Sequence, residues 1–444
     1  MGTNANTTPD KRVLILGGGF AGLNAAKNLD GVKGLHVTLI DRRNHHLFQP
    51  LLYQVAMAAL SPADIAVPIR GLFSGSDNVD VVLGNVTKVD LKRGCVVGDF
   101  GEREYDYLLL ACGSNHSYFG HDDWEEQAPG LKSLEEATEI RRRMLMAFEM
   151  AEIEQDPELQ KSLLTFVIVG GGPTGVELAG ALGEISRYTI SSDFHSIDPR
   201  RCRIILVEGN DRLLPAFHPD LSARAARALE KLGVTIWTKS LVTDIKRGSV
   251  KVGDETIKAQ TILWAAGVEP ADINRTMKVE KGPAGRIKVE PDLSIKGHPN
   301  VFVLGDQALF LDDEKPLPGL APVAIQQGRH AARNLRDEIR GKQRKPFVYV
   351  DKGIMATIGK AEAVVETGSL RFGGLVGWLA WLLVHIYYLI GFRNRVAVVL
   401  QWGWSYLTFS RGARLITSRH WRKDKRSHLP GRYRALIFEQ TRRK

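Results

Sequence analysis

A six-residue glycine turn occurs twice in this chain, each time in the same company. Residues 13–16 (VLIL) form a short apolar run ending in Gly17-Gly18-Gly19-Phe20-Ala21-Gly22, followed by LNAAKNL. Residues 166–169 (FVIV) end in Gly170-Gly171-Gly172-Pro173-Thr174-Gly175, followed by VELAGALGEISRY. Both read as strand, tight turn and helix, and both lead to a second apolar strand closed by an acid: HVTLI into Asp41 and RIILV into Glu208. Glycines here let the backbone approach a pyrophosphate, whose charge meets the amides of a helix N-terminus, while the acid reaches a ribose 2′-hydroxyl. One such match is weak, since ordinary turns use the same glycines and an acid also caps a strand end. Two copies about 150 residues apart, each with strand, helix and acid, predict two dinucleotide sites in an internally duplicated chain.

The remaining segments fit that duplication. A charged helical stretch, 134–155, lies between the two units and suits a domain connection. Pairs of short β-like runs follow each unit, VDVVLGNVTKVD and YDYLLLACG after the first, VTIWTKSLVTDIKRGSVKV and AQTILWAAG after the second. Near the end of the core a strand meets Gly-Asp in Val301-Phe302-Val303-Leu304-Gly305-Asp306, before a helix AIQQGRHAARNLRDEIRG. An acid at that point can bind ribityl hydroxyls, which assigns a flavin dinucleotide to the first site. Glu208 accepts from a free 2′-hydroxyl and repels a 2′-phosphate, so NADH is expected over NADPH, although Arg212 lies near enough to soften the preference.

Cys95, Cys112 and Cys202 form no C-x-x-C pair and are too scattered for a zinc site, so neither dithiol redox chemistry nor a bound metal is expected. The first residues, MGTNANTTPDKR, hold no apolar secretory segment, and Asn6 breaks a myristoylation pattern, so the cytoplasmic compartment is the expectation. The net charge of +10 is concentrated at one end: from Arg371 onward fifteen Lys and Arg face only Asp424 and Glu439. The rest of the chain is therefore slightly acidic, and the basic end suggests a polyanionic partner.

Taken together, GGGFAG, Asp41, LLLACG, GGGPTGVELAGAL, Glu208, ILWAAGVEP and VFVLGDQ resemble the two-dinucleotide-binding-domain flavoproteins. Within them the chain looks most like the type II (non-proton-pumping, alternative) NADH:quinone oxidoreductases, a likeness that extends to HHLFQPLLYQVA (45–56), DKGIMATIGKAEAV (351–364) and the aromatic tail, and covers residues 12–421. The resemblance implies that Gly17, Gly19, Gly22, Asp41, Gly113, Gly305 and Asp306 contact FAD, with Gln49 and Pro50 in a segment covering the flavin ring. It implies that Gly170, Gly172, Gly175, Glu208 and Gly267 contact NADH. Glu177 resembles the glutamate that family members place near nicotinamide and flavin; the plainer reading is a first-turn acid favoured by the helix dipole. Gln326 and Gln327 resemble the start of the family's quinone-site helix, though Pro322 stands where many members have another glutamine. Sulfide-oxidising relatives need paired cysteines near the flavin, which Cys112 lacks.

The tail carries the membrane expectation. Residues 375–392 (LVGWLAWLLVHIYYLIGF) fall just short of the ~20 apolar residues of a spanning helix, and Arg393 and Arg395 end the run. Residues 396–409 are shorter and more polar. Trp378, Trp381, Trp402, Trp404, Tyr387, Tyr388 and Tyr406 are aromatics of the headgroup level, and basic residues from Arg411 onward would attract anionic lipids. Interfacial anchoring is preferred to a single short span or to burial in a homodimer, and nucleic acid is disfavoured because the aromatics sit in aliphatic company.

The expected fold is therefore α/β, with two Rossmann-like dinucleotide-binding domains (glutathione-reductase-like) plus a C-terminal helical membrane-associated region. Its expected segments are 10–130 and 291–345 for FAD, 131–290 for NADH, 346–421 for anchoring, and 422–444 as a basic tail. The expected activity is hydride transfer from NADH to FAD and then two electrons to a quinone, on the cytoplasmic face of the membrane. A soluble reductase of another acceptor and a slow redox-sensing protein are the alternatives.

Overall fold

The computed structural model describes residues 10–408 and 413–417. The expected basic tail, 422–444, and Arg411 lie outside the described residues. The chain forms two compact units: 10–47, 66–116 and 268–352 make the first, and 48–65, 117–267 and the described residues from 353 onward make the second.

The first unit is built on a six-stranded sheet in the order Ser294–Ile295, His298–Val303, Tyr107–Leu110, Lys11–Leu16, Leu35–Asp41, Val79–Leu83. Every pairing except that of the short Ser294–Ile295 strand is parallel, with Lys11 opposite Leu35 and Val13 opposite Tyr107. Parallel strands are buried on both faces, which is why Val13–Leu16 and Leu108–Leu110 are unbroken apolar runs rather than alternating ones. The helices Phe20–Leu29 and Ala321–Ile339 pack so closely that a Cβ on Gly328 would strike the backbone of Ala21. A three-stranded meander, Val86–Asp90, Cys95–Gly98 and Gly101–Glu104, completes a core with Leu14, Leu108, Ile273, Met277, Ile287 and Val301.

The second unit repeats the plan with four parallel strands in the order Val234–Trp237, Arg203–Val207, Thr165–Val169, Thr261–Trp264, and its own meander, Val242–Lys246, Ser249–Val252 and Glu255–Lys258. The 134–155 stretch, expected as a connection, is a helix over Leu134–Ile153 that packs inside this unit. A capping box, Ser133 with Glu136, starts it, and Phe148 meets Phe166 of the sheet with ring centroids 5.4 Å apart. Its apolar positions Ile140, Met144, Phe148 and Ala151 fall on one face, so it covers the sheet.

The units divide the chain differently from the expected segments. Residues 268–290 lie in the first unit because Ser114–His116 pairs antiparallel with Val268–Pro270, and Ile273, Met277 and Ile287 then enter that unit's core. Residues 48–65 lie in the second, with Gln49 Nε2 donating to the Lys132 carbonyl at 3.3 Å.

After the antiparallel strands Ile354–Thr357, Ala363–Thr367 and Leu370–Gly373 come two helices, Gly374–Tyr388 and Phe392–Thr408. The sequence run 375–392 is thus broken near Leu389. Arg395 stabilises the break, its Nε donating to the Leu389 carbonyl at 2.7 Å and its Nη2 to that of Tyr387 at 2.9 Å, which satisfies carbonyls orphaned at a helix end. No helix among the described residues is long and apolar enough to cross a membrane.

Candidate functional site

In the first unit the three motif glycines have different jobs. Gly17 has φ +99°, and a Cβ there would strike the Ala111 carbonyl at the end of the neighbouring strand. A Cβ on Gly22 would strike the carbonyl of Gly17, so helix and turn close only around glycine. Around Gly19, by contrast, a Cβ would meet nothing within 4 Å: the start of the Phe20–Leu29 helix is open there. Asp41 braces the turn, accepting from the Gly18 amide at 2.6 Å and from the Arg43 amide at 2.7 Å. His46 braces it from the other side, its Nδ1 donating to the Gly18 carbonyl at 2.9 Å and its ring edge-on to Phe20. Burial pushes the His46 pKa down to about 4, so the ring is neutral at physiological pH.

The Gly-Asp end of strand His298–Val303 is equally constrained. Ser114 Oγ, next to Gly113, donates to Asp306 Oδ2 at 2.5 Å, and the Gly305 amide donates to Gln327 Oε1 at 2.6 Å. Gln307 is fully buried; it accepts from the Cys112 amide and donates to Asn274, each at 2.6 Å. An open helix start, with anchored acids at the ends of two strands of one sheet, has the donor set that a flavin dinucleotide's pyrophosphate and sugar hydroxyls require.

The second unit reproduces the turn. Gly170 has φ +109° against the Ala265 carbonyl, Gly175 closes on the Gly170 carbonyl, and the space beyond Gly172 is open. Glu208 takes the place of Asp41, accepting from Gly171 at 2.5 Å, from the Asn210 amide at 2.7 Å and from Asn210 Nδ2 at 2.6 Å. Gly267 ends the WAAG segment with its α-carbon facing the Phe119 ring. Glu177, in the first turns of helix Pro173–Glu184, retains some accessible surface yet lies deep enough that burial pushes its pKa up to about 8, opposed only in part by a hydrogen bond from the Thr357 backbone.

The second unit also holds a narrow aromatic pocket lined by Tyr53, Gln54, Tyr188, Trp378, Trp381 and Trp402, with Glu184 and Thr357 at its polar side. Trp402 Nε1 donates to Gln54 Oε1 at 2.7 Å, and Gln54 Nε2 donates to the Tyr53 hydroxyl at 2.9 Å. Trp381 is 1% exposed and stacks on His385, whose Nδ1 donates to the Trp381 carbonyl at 2.6 Å. The Trp381 indole N–H has no acceptor among the described residues.

Gln326 and Gln327 are spent on backbone. Gln326 bonds Val350 in both directions, at 2.9 and 3.0 Å, while Gln327 is the buried acceptor of Gly305 described above. Pro322 sits in the first turn of Ala321–Ile339, where its missing N–H costs no helical bond. Gln49 and Pro50 form a short turn, Gln49–Leu51, with Gln49 exposed.

Residues 11–328 match the family described as pyridine nucleotide-disulphide oxidoreductase. The chain is 43% identical over 422 residues to the type II NADH:quinone oxidoreductase Ndh of Mycobacterium tuberculosis, covering 91% of this chain and 90% of that one. It is 42% identical over 425 residues to NdhA of the same organism, covering 92% and 89%. The chain belongs to the type II NADH:quinone oxidoreductases. Its fold is also that of NDH2 from Plasmodium falciparum in complex with NADH, at a TM-score of 0.84 and 19% identity over 92% of this chain and 100% of that one.

For a type II NADH:quinone oxidoreductase, the sequence motifs supplied the glycines and acids but not their supports. His46, Ser114, Gln307 and the Gln54–Trp402 pair were missed because each acts on a residue remote in sequence. His46 and Gln54 left a trace inside the family-like segment 45–56, Gln307 at the end of VFVLGDQ and Trp402 among the tail aromatics, whereas Ser114 left none.

Proposed function

We propose that Gly17, Gly19, Gly22, Asp41, Gly113, Gly305 and Asp306 hold FAD, and that Gly170, Gly172, Gly175, Glu208 and Gly267 hold NADH. As a type II NADH:quinone oxidoreductase, the chain transfers electrons from NADH to a quinone without proton pumping. The matched pair of turns, each with an acid bonded to its middle amide, is the observation that supports the two-nucleotide assignment. Ser114 and Asp306, in the same unit as the first turn, favour FAD there.

When bound, FAD supplies a two-electron acceptor for hydride and a donor for the quinone. The protein's part is positional. Asp41 and Glu208 fix the two turns and offer carboxylate oxygens to ribose hydroxyls; Glu208 disfavours a 2′-phosphate, and higher kcat/KM with NADPH than with NADH would refute that role. Glu177 holds a proton at its carboxyl up to about pH 8 and acts as the relay to the reacting groups. Gln327 acts through the Gly305 amide, and Gln326 fastens helix Ala321–Ile339 to Val350.

The quinone is assigned to the aromatic pocket, where Tyr53, Trp381 and Trp402 supply ring faces and the Trp381 N–H supplies a donor for a quinone carbonyl. The Gly374–Tyr388 helix supports a peripheral membrane association; the cytoplasmic face is part of the proposal. Gly377, Trp378, Trp381 and His385 face inward, whereas Leu375, Val376, Leu379, Leu383 and Tyr387 are exposed. That outer stripe suits interfacial insertion.

The test is an anaerobic flavin spectrum of the purified protein with NADH added, then a short-chain quinone. Bleaching by NADH and recovery with quinone at catalytic speed are expected. Bleaching without recovery would refute the acceptor, and no bleaching would refute the donor.

A further inference from the structure

Helix Pro219–Lys231 and the turn between strands Ile354–Thr357 and Ala363–Thr367 flank a second, solvent-open cavity in the second unit, of about 370 Å³. Its lining carries Arg224, Arg227, Lys231 and Lys360 against a single acid, Glu362. That acid is already committed: Glu362 Oε1 accepts from Arg224 Nε at 2.6 Å and from the Gly374 amide at 2.9 Å, and Oε2 accepts from Arg224 Nη2 at 3.2 Å. Arg227 and Lys231 have no ion-pair partner among the described residues. On Pro219–Lys231 these two are four residues apart and share a face, as Arg224 and Arg227 do at a spacing of three. The cavity is therefore a concentration of positive charge whose own counter-charge is used up.

Its position gives that charge a direction. The Arg224–Glu362–Gly374 clamp fastens the cavity wall to the first residue of the Gly374–Tyr388 helix, and Gly373 lies so near Arg224 that a Cβ would come 2.7 Å from Nε. Exposed aliphatic surface begins at the very next residues, Leu375 and Val376, and continues through Leu379 and Leu383. A cationic cavity thus opens at the root of an exposed apolar stripe. One class of ligand matches both halves at once: a phosphate diester carrying acyl chains.

We propose that this cavity is a headgroup site for an anionic phospholipid, with the phosphate held by Arg227, Lys231 and Lys360 and the acyl chains lying along the Leu375–Leu383 face. This rests on the membrane-surface reading above and moves headgroup recognition onto a folded element of the second unit.

The test uses the full-length holoenzyme and co-sedimentation with phosphatidylcholine vesicles, with and without phosphatidylglycerol. The double variant Arg227→Ala/Lys231→Ala is compared with Lys251→Ala/Lys258→Ala, which removes the same charge from exposed strand positions of the same unit. At roughly fivefold per Lys or Arg contact, the cavity variant, which loses two, should lose about tenfold or more of its partition onto anionic vesicles, and the control much less. NADH oxidation with a water-soluble quinone should stay at the wild-type rate in both. Equal losses in the two variants would overturn the site while leaving the membrane reading intact. Wild type that binds neither vesicle overturns both. Monomeric short-chain phosphatidylglycerol should raise the Tm of the wild type where inorganic phosphate does not; equal shifts would assign the cavity to soluble phosphate instead. A dimeric wild type and a monomeric cavity variant with unchanged vesicle binding would give the face to a second copy and equally overturn the proposal.

Discussion

Trp402 Nε1 donates to Gln54 Oε1 across 2.7 Å, and both side chains are buried. Their separation of 348 residues in sequence makes this bond the tie between the C-terminal helix and the Leu52–Ala56 turn. Removing only the donor strands a buried carbonyl. Trp402→Phe should therefore cost about 1–3 kcal/mol beyond its lost volume, because the desolvation of Gln54 is no longer repaid. Adding Gln54→Leu should recover part of it, and a double-mutant cycle by urea unfolding measures the coupling. Strict additivity would mean that the bond contributes nothing.

The glycines of the first turn separate packing from ligand approach. Gly22→Ala pushes a methyl group into the Gly17 carbonyl, and overpacking of that kind costs about 1–3 kcal/mol or more, so soluble yield and Tm should fall. Gly19→Ala places the methyl group in open space, so Tm of the apoprotein should stay at the wild-type value while FAD affinity drops. The check is flavin content after gel filtration alongside apoprotein melting. Full flavin retention in Gly19→Ala would remove the pyrophosphate from that position.

Local spacing and tertiary contact leave different marks on a sequence. The glycine turns, Asp41 and Glu208 were legible because a strand, a tight turn and a helix N-terminus impose a local spacing that any chain must obey. The helix 134–153 was legible as a helix but not as a sheet cover, since burial of Phe148 depends on Phe166 across the fold. Its role needs tertiary context. The break in the 375–392 run was hidden because no proline or charged residue interrupts it, while the group that stabilises the break, Arg395, lies beyond it. Gln326 and Gln327 showed the opposite problem. Their sequence position suggested a ligand contact, but only the fold reveals that Val350 and Gly305 already use their amides. The aromatic pocket joins positions 53 to 402, a pairing no spacing rule anticipates.

Acid should loosen the two units through two different histidines. Burial holds both His46 and His385 at about pH 4, below the 6.5 of an unfolded chain. The unfolded state then takes up the proton first as pH falls. Their contribution is present above pH 6.5 and lost on descent through about 4, at up to roughly 3 kcal/mol each for a shift of this size. His46→Asn keeps a donor for the Gly18 carbonyl without a titrating ring. It should shift acid-induced flavin release, read as flavin fluorescence, to lower pH. His385→Asn should instead shift the loss of tryptophan emission from the Trp381 cluster. Unshifted midpoints would show that other groups govern acid unfolding.

Glu177 gives the converse case at the other end of the pH scale. Its folded pKa of about 8 lies above the ordinary 4.5 of a glutamate because burial penalises the carboxylate. The stability linked to it is therefore full below pH 4.5 and lost as pH rises through 8. Glu177→Gln copies the protonated form, so its stability advantage over wild type should grow between about pH 4.5 and 8 and level off above 8, which melting curves across pH 5–9 would show. A proton relay adds a second signature that a packing role lacks. Quinone turnover in Glu177→Gln should fall by at least about tenfold, toward the 10²–10⁴ range typical of a positioned acid–base group, and lose its limb near pH 8. Reduction of the flavin by NADH in a single anaerobic turnover should change much less, and Glu177→Asp should restore part of the turnover. A Gln variant with wild-type turnover and an unchanged pH profile would leave Glu177 a buried acid of the helix and nothing more.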